Sequence, residues 1–315
     1  MSIITVAICT YNRSDLLERT FDRMQELAVP AGSEWELLVV NNACTDDTDA
    51  VLERWAGRLP LRRVFEPKPG QSAARNCALR EGRGDLILWT DDDVLVDREW
   101  MRALTRGLRT QATDLVFGRS VPHWLGEMPN WFSPLHHGRF AILDYGDEPF
   151  VATDLSRTFY GLNFGAVRDT LRRLGGFDES VGFGPNGGMG GDDLDLFRRA
   201  LAARLRMLYV PEAVVEHMIP AARGTKAFYR QRVESSVPRE YDLLHEQFPG
   251  VPWVAGLPRF LFRQAAADAV HYVISQGTRA HDRVFHYELK LRRFAGFLRA
   301  ARRRQVDTHV ERPAS

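Results

Sequence analysis

The apolar positions of the chain switch repeatedly between two periods. Residues 3–9 are Ile-Ile-Thr-Val-Ala-Ile-Cys, a β-branched run suited to a buried strand. Leu17, Phe21, Met24 and Leu27 then recur at helical spacing from a start at Ser14 or Asp15, and Pro30 with Gly32 closes that helix. The exchange repeats as strand 35–40 and helix 48–56, strand 61–65 and helix 71–80, then strand 85–89. Strand and helix in alternation build a mostly parallel sheet flanked by helices, so an α/β fold is expected.

The pattern loosens afterwards. A helix is expected at 97–111, where Trp100, Leu104 and Leu108 lie four apart, and a short strand at 115–118. Residues 119–150 hold Trp124, Trp131, four prolines, His123, His136 and His137 without periodicity, as a functional loop or lid would. Strand character returns at 159–164, then a helix at 167–174 stopped by Gly175 and Gly176. Residues 182–191 are rich in glycine and lead into a helix at 192–203. Strands follow at 206–210 and 213–216, ending at His217. From about 221 only helices are expected, at 225–248, 258–276 and 281–304. The division is a sheet domain over 1–220, in two halves at 1–118 and 119–220, and a helical extension over 221–315.

Composition narrows the class of function. The chain has 315 residues, 44% hydrophobic and 26% charged, with a net charge of +1, so no field directs it to nucleic acid. Cys9, Cys44 and Cys77 are too dispersed for a disulfide framework or a zinc site. Free thiols, no leader pattern and no run long enough to span a bilayer suggest a cytoplasmic protein, alternatively one peripheral at the inner face of a membrane. Lys290, Arg292, Arg293, Arg299, Arg302, Arg303 and Arg304 make the last helices cationic. Two readings fit them: contact with an anionic membrane surface, or a packing or homodimer element with a solvated basic face.

Two acidic clusters carry the candidate chemistry. Asp91, Asp92 and Asp93 stand at the end of an apolar strand, where open α/β sheets bind ligands. Three adjacent carboxylates repel, and a divalent cation is the usual way to hold them. Asp192 and Asp193 open a helix beyond the glycine-rich run. A helix N-terminus favours an ionised carboxylate. Such a group can take a proton from an attacking hydroxyl.

These clusters join Val6-Ala7-Ile8-Cys9-Thr10-Tyr11-Asn12-Arg13, Val39-Val40-Asn41-Asn42-Ala43-Cys44-Thr45-Asp46 and Gly70-Gln71-Ser72-Ala73-Ala74-Arg75-Asn76 in one order. With Gly191-Asp192-Asp193-Leu194-Asp195-Leu196, the set over residues 3–217 resembles a family 2 glycosyltransferase. The resemblance implies an inverting enzyme of the glycosyltransferase A fold, using a nucleotide-sugar, UDP-linked in the first instance, with Mn²⁺ or Mg²⁺. It makes 1–220 the catalytic domain, with a nucleotide-sugar half and an acceptor half.

By the same resemblance, Thr10, Tyr11 and Asn12 line the base pocket and Asn42 faces the base. Arg75 reaches the base or the diphosphate. Asp91, Asp92 and Asp93 form the Asp-x-Asp motif. Asp91 is preferred on the ribose and Asp93 on the metal, though the direct ligand among the three stays open. His217, after Pro211-Glu212-Ala213-Val214-Val215-Glu216, is a further metal ligand. Asp193 is the general base and Asp192 an acceptor contact. Trp124 and Trp131 are candidates to stack on an acceptor sugar. The acceptor is a hydroxyl of a saccharide, a lipid-linked carrier or a natural product. The alternatives are a nucleotidyltransferase, which would want a basic glycine-rich loop after the first strand, and a catalytically silent nucleotide-sugar-binding or scaffold protein.

Overall fold

A computed structural model describes residues 2–110, 113–182 and 190–310, with the side chains of 2, 110, 245–247 and 305–310 left aside. The chain forms two compact units, one of residues 1–123 and 138–219 and one of residues 124–137 and 220–315.

The first unit begins with the alternation the sequence pattern predicts. Strand β1 is Ser2–Thr10, helix α1 Ser14–Met24, β2 Ser33–Asn41, α2 Thr48–Trp55, β3 Leu61–Phe65, α3 Gln71–Glu81 and β4 Leu86–Asp91. Then come β5 (Val94–Val96), α4 (Trp100–Thr110), β6 (Leu115–Trp124), β7 (Phe150–Val151), β8 (Asn163–Val167), α5 (Arg168–Arg173), α6 (Asp192–Ala202) and β9 (Met207–Ile219). The sheet order is β3-β2-β1-β4-β8-β6-β9-β5, with β7 on β9. The pairs β3-β2, β2-β1 and β1-β4 are parallel. The pairs β4-β8, β8-β6, β9-β5 and β9-β7 are antiparallel. The fold is therefore α/β around a parallel sheet, extended by antiparallel strands.

The alternation of side chains along each strand divides the core into two layers. Ile4, Val6 and Ile8 of β1, Leu37 and Val39 of β2, and Leu86 and Leu88 of β4 face α1, α2 and α4, packing with Phe21, Trp55, Trp100 and Leu104. Ala7, Leu38, Val40, Ile87 and Trp89 face the other way, against Ala74, Cys77 and Ala78 of α3 and Leu196 and Phe197 of α6. Strands covered on both faces need apolar residues at every position, which is why β4 reads as an unbroken apolar run.

Three expectations are corrected. The strand expected at 159–164 is β8, four residues later at Asn163–Val167, because Phe159 is buried by stacking on Phe164 at 4.8 Å and not by strand pairing. The two strands expected at 206–210 and 213–216 are one, β9. Within 119–150, residues 115–124 continue as β6 and Phe150–Val151 is β7. Of the glycine-rich run 182–191, residues 183–189 lie outside the described residues.

A buried amide ties the antiparallel strands together. Asn163 Nδ2 donates to the carbonyls of Arg119 and Ala213, each at 2.8 Å, and its Oδ1 accepts from Trp100 Nε1 at 2.8 Å. The strands approach closely at Gly118, where a Cβ would stand 2.0 Å from the Ala213 carbonyl oxygen.

The second unit holds α7 (Lys226–Gln247), α8 (Arg259–Gly277) and α9 (His281–Val310) and, against the expectation of helices alone, the short antiparallel strands β10 (Trp253–Val254) and β11 (Leu257–Pro258). Val237, Tyr241, Leu244, Leu257, Phe297 and Ala301 form its core. The basic face of α9 is not simply solvated. Arg292 pairs with Glu234 at 3.1 Å and Glu288 at 2.8 Å, Arg293 with Glu240, Arg304 with Asp242 at 2.5 Å and Lys290 with Asp268. Most of these acids lie on α7, so much of the cationic run is matched within the unit.

Gly118→Ala is expected to lower stability by about 1–3 kcal/mol, because the added methyl meets backbone and cannot be accommodated by a rotamer. Urea unfolding checks this; an unchanged midpoint would show that the two strands can separate at no cost.

Candidate active site

The loop after β1 is built by backbone geometry. Thr10 is buried and its carbonyl accepts from Asn42 N at 3.0 Å. Tyr11 is 57% exposed. Asn12 has a φ of 53°, a left-handed conformation that asparagine tolerates. Its Oδ1 accepts from Thr45 N at 2.7 Å, so Asn12 joins the loops after β1 and β2. Asn42 is placed differently from a simple base contact. Its Nδ2 donates to the carbonyls of Glu66 at 3.0 Å and Lys68 at 2.7 Å, and its Oδ1 accepts from Gly70 N at 2.9 Å. In this structure its amide shapes the loop between β3 and α3.

The aspartate cluster is held by arginine. Arg13 Nη1 lies 3.0 Å from Asp92 Oδ1 and 2.6 Å from Asp93 Oδ2. Arg75 Nη2 lies 3.5 Å from Asp91 Oδ1. The cation expected from repulsion among three carboxylates is thus supplied in part by two guanidinium groups. Burial still pushes Asp91 above the usual carboxylate range, against the pull of Arg75. Burial likewise raises Asp92 to about 7, against Arg13. Arg13 was not among the residues singled out in the sequence. Its signal was adjacency: it directly follows Thr10, Tyr11 and Asn12.

His217 reaches the cluster through strand register. β5 follows the aspartates directly and pairs with β9 so that Val94 lies opposite His217. His217 Nε2 lies 3.3 Å from Asp93 Oδ2. Its Nδ1 is 2.6 Å from the Phe140 carbonyl oxygen. A carbonyl can only accept, so Nδ1 carries the proton and Nε2 faces the carboxylate. Nε2 and the Asp93 carboxylate are thus adjacent, as histidine and carboxylate are when they share a metal ion. Carboxylate oxygens suit Mn²⁺ or Mg²⁺, and an imidazole nitrogen beside them suits Mn²⁺ better than Mg²⁺, which prefers oxygen. Among the described residues, no three His, Cys, Asp or Glu side chains close into a complete cage. Asp93 and His217 would hold such an ion only together with ligands from outside these side chains.

Arg75 connects this cluster to the second one. It is buried on α3, and its Nη1 lies 2.5 Å from Asp192 Oδ2 at the start of α6. Phe177 lies beneath the guanidinium at 5.5 Å. Gly161 lines the same space, where a Cβ would stand 2.2 Å from Arg75 Nη2. Asp192 is thus a buried ion-pair partner of Arg75, not an open acceptor contact. Arg75 is correspondingly committed to two carboxylates.

Asp193, the next residue, is half-buried. Its Oδ2 accepts from Gly161 N at 3.1 Å and its Oδ1 from Leu194 N at 2.8 Å. These bonds orient the carboxylate. Burial, then the charge of Asp192, raises its pKa above the usual range, although it sits in the first turn of a helix. The helix terminus does not outweigh burial. Gly161 is a second residue that the sequence did not single out.

The acceptor candidates Trp124 and Trp131 lie in the second unit. Trp131 is 3% exposed and packs on Phe285 at 4.6 Å, His136 at 5.1 Å and Tyr229 at 5.7 Å. It is a core residue and not a platform for a sugar. Trp124 packs edge-on against Phe132 at 5.0 Å.

A sheet with acidic side chains at the carboxyl end of its central parallel strand is an α/β ligand-binding arrangement. Solved structures with this fold include the mannosyltransferase PcManGT from Pyrobaculum calidifontis in complex with GDP-Man and Mn²⁺. It is 22% identical, with a TM-score of 0.55 over 99% of this chain and 76% of that one. S. aureus TarS 1-349 in complex with UDP-GlcNAc is 16% identical, with a TM-score of 0.54 over 92% of this chain and 90% of that one. These are glycosyltransferases of the A fold. Residues 5–174 match the model of glycosyl transferase family 2, and the chain belongs to that family. The chain is 28% identical to the succinoglycan biosynthesis protein ExoM of Rhizobium meliloti (strain 1021), over 79% of this chain and 77% of that protein. It is 26% identical to the validoxylamine A glucosyltransferase of Streptomyces hygroscopicus subsp. limoneus, over 65% of this chain but only 49% of that protein.

Arg13→Ala removes the guanidinium from two buried carboxylates. Arg13 itself is half-exposed, so a loss of about 1–3 kcal/mol is expected, below that of a fully buried pair. Mn²⁺ is expected to raise the melting temperature of this variant more than that of the parent. Equal metal-induced shifts would show that Arg13 and a metal do not share the cluster.

Proposed function

We propose that the protein is an inverting, divalent-metal-dependent transferase that moves a sugar from a UDP-sugar to a saccharide hydroxyl. The observation that carries this reading is the placement of Asp193. Its carboxylate is oriented by two backbone amides, beside the Arg75 ion pair that leads to Asp91. The remaining support is the family and the donor set at Asp93 and His217.

In this reading Thr10, Tyr11 and Asn12 border the nucleoside, with exposed Tyr11 free to cover the base. Asn42 supports that pocket through the loop it holds. Asp91 and Asp92 face the nucleotide-sugar, with Asp91 on the ribose. Asp93 and His217, with Asp91 as a further candidate, hold Mn²⁺ or Mg²⁺. The metal, when bound, stabilises charge on the departing diphosphate. Asp193 takes the proton of the acceptor hydroxyl as its oxygen attacks the anomeric carbon. The bond from that carbon to the diphosphate oxygen breaks, and the nucleoside diphosphate leaves from the opposite face with its electron pair. Asp192 acts indirectly, by fixing Arg75.

The UDP donor is favoured over other nucleotides by the likeness to TarS, whose structure holds UDP-GlcNAc. PcManGT, whose structure holds GDP-Man, is the counter-example that keeps GDP as the second choice. The likeness to a succinoglycan biosynthesis protein favours a saccharide acceptor over a natural product. Residues 1–220 act as the catalytic domain, apart from 124–137, which belong to the unit of the helical extension 221–315, in a cytoplasmic protein.

Asp193→Asn is expected to bind UDP with Mn²⁺ as the parent does, by calorimetry, and to lose transfer by about 10²–10⁴-fold. A base must be deprotonated, and burial raises the Asp193 pKa. The parent's kcat/KM is therefore expected to fall with decreasing pH at a value above the ordinary aspartate range. Unimpaired transfer by the variant removes Asp193 as the base. Loss of nucleotide binding would reassign it to the donor.

A further inference from the structure

Among the described residues, the large apolar side chains left exposed concentrate in one stretch: Val254, Phe260, Val270, Val273 and Ile274. Four of them sit on α8, with Val270 58%, Val273 68% and Ile274 57% exposed and Phe260 less so, at 38%. Helical spacing puts Arg259, Arg263, Ala266, Val270, Val273 and Ile274 on one side of that helix. All six are exposed. Exposed Arg279 and Arg283 follow just beyond its end. The one acid of α8, Asp268, is buried and pairs with Lys290. This side therefore combines aliphatic groups with arginines at both ends and presents no carboxylate.

Charge decides what covers it. A second copy of the chain would set like charges together. Parallel pairing of two such helices brings Arg263 to Arg263, and antiparallel pairing brings Arg263 towards Arg279 and Arg283. An anionic lipid surface complements both features. Aliphatic side chains enter the boundary between headgroups and acyl chains, and the arginines meet lipid phosphates. No helix among the described residues is long and apolar enough to cross a membrane, so the helix would lie on the surface.

We propose that α8 is an interfacial helix that rests on anionic membranes through Val270, Val273, Ile274 and the arginines around them. The cationic α9, the more obvious basic segment in the sequence, is a poorer candidate because several of its basic side chains pair within the unit. The inference depends on neither the metal nor Asp193.

The test is co-sedimentation of the full chain with phosphatidylcholine vesicles, with and without phosphatidylglycerol, at low and high salt. Binding is expected only with phosphatidylglycerol and is expected to weaken as salt rises. Val273→Glu with Ile274→Glu is expected to reduce it by about tenfold or more. Arg263→Glu is expected to reduce it severalfold. Circular dichroism melting verifies that both variants fold; these exposed positions are expected to leave the melt unchanged. No binding of the full chain to phosphatidylglycerol vesicles overturns the proposal. Undiminished binding by the folded Val273→Glu, Ile274→Glu variant also overturns it. So does a concentration-dependent dimer in sedimentation equilibrium that this variant abolishes, since the face would then belong to a second copy.

Discussion

A single buried guanidinium holds the two acidic clusters in relation to each other. Arg75 lies between Asp91 at the end of β4 and Asp192 at the start of α6, with both Arg75 and Asp192 almost wholly removed from water. Two charges out of water are costly unless each is matched, so their geometry is strongly constrained. The constraint extends outward. Gly161 must lack a side chain because the guanidinium fills its place. Asn76, one residue on, donates to and accepts from the backbone of Phe177, whose ring lies under Arg75. The chain before α6 is thereby fixed to α3.

The same electrostatics distinguishes the two ends of the site. At the sheet end, Asp91, Asp92 and Asp93 are crowded and opposed by Arg13 and Arg75, with Asp92 and Asp93 buried and Asp91 partly so. Burial still pushes Asp91 and Asp92 up, which leaves the cluster receptive to further positive charge. At the helix end, Asp192 is consumed by Arg75, while Asp193 accepts from two backbone amides among the described residues. Its raised pKa follows from burial and from Asp192 beside it. Adjacent carboxylates thus differ in their surroundings: Asp192 holds an arginine, and Asp193, the proposed base, is oriented by backbone amides.

Much of the parallel half was legible because its physics is local. Strands buried on both faces, helices with one apolar stripe and glycine or proline stops all leave periodic traces. The antiparallel half was harder. Pro211 divides β9 in the sequence but not in the structure, and Phe159 imitates a strand residue while being buried by aromatic stacking. Among site residues, the aspartates were visible as clusters, but their counter-charges were not. Arg13 and Asp93 are eighty positions apart, and Arg75 and Asp192 more than a hundred. Trp131 misled because an aromatic residue in an irregular segment looks the same whether it meets a ligand or a core. Asn42 was visible as polar, yet its three partners are backbone groups that no side-chain pattern reveals.

The central claim is that Arg75 and Asp192 form a buried pair on which the site's geometry depends. A double-mutant cycle with Arg75→Met and Asp192→Leu, measured by chemical unfolding, tests it most directly. Each single change strands a buried charge and is expected to cost about 3–5 kcal/mol. The double change removes both charges, so its cost is expected to fall short of the sum by about 2 kcal/mol or more. Costs that add to within about 0.5 kcal/mol would contradict the account, because the two residues would then be acting independently.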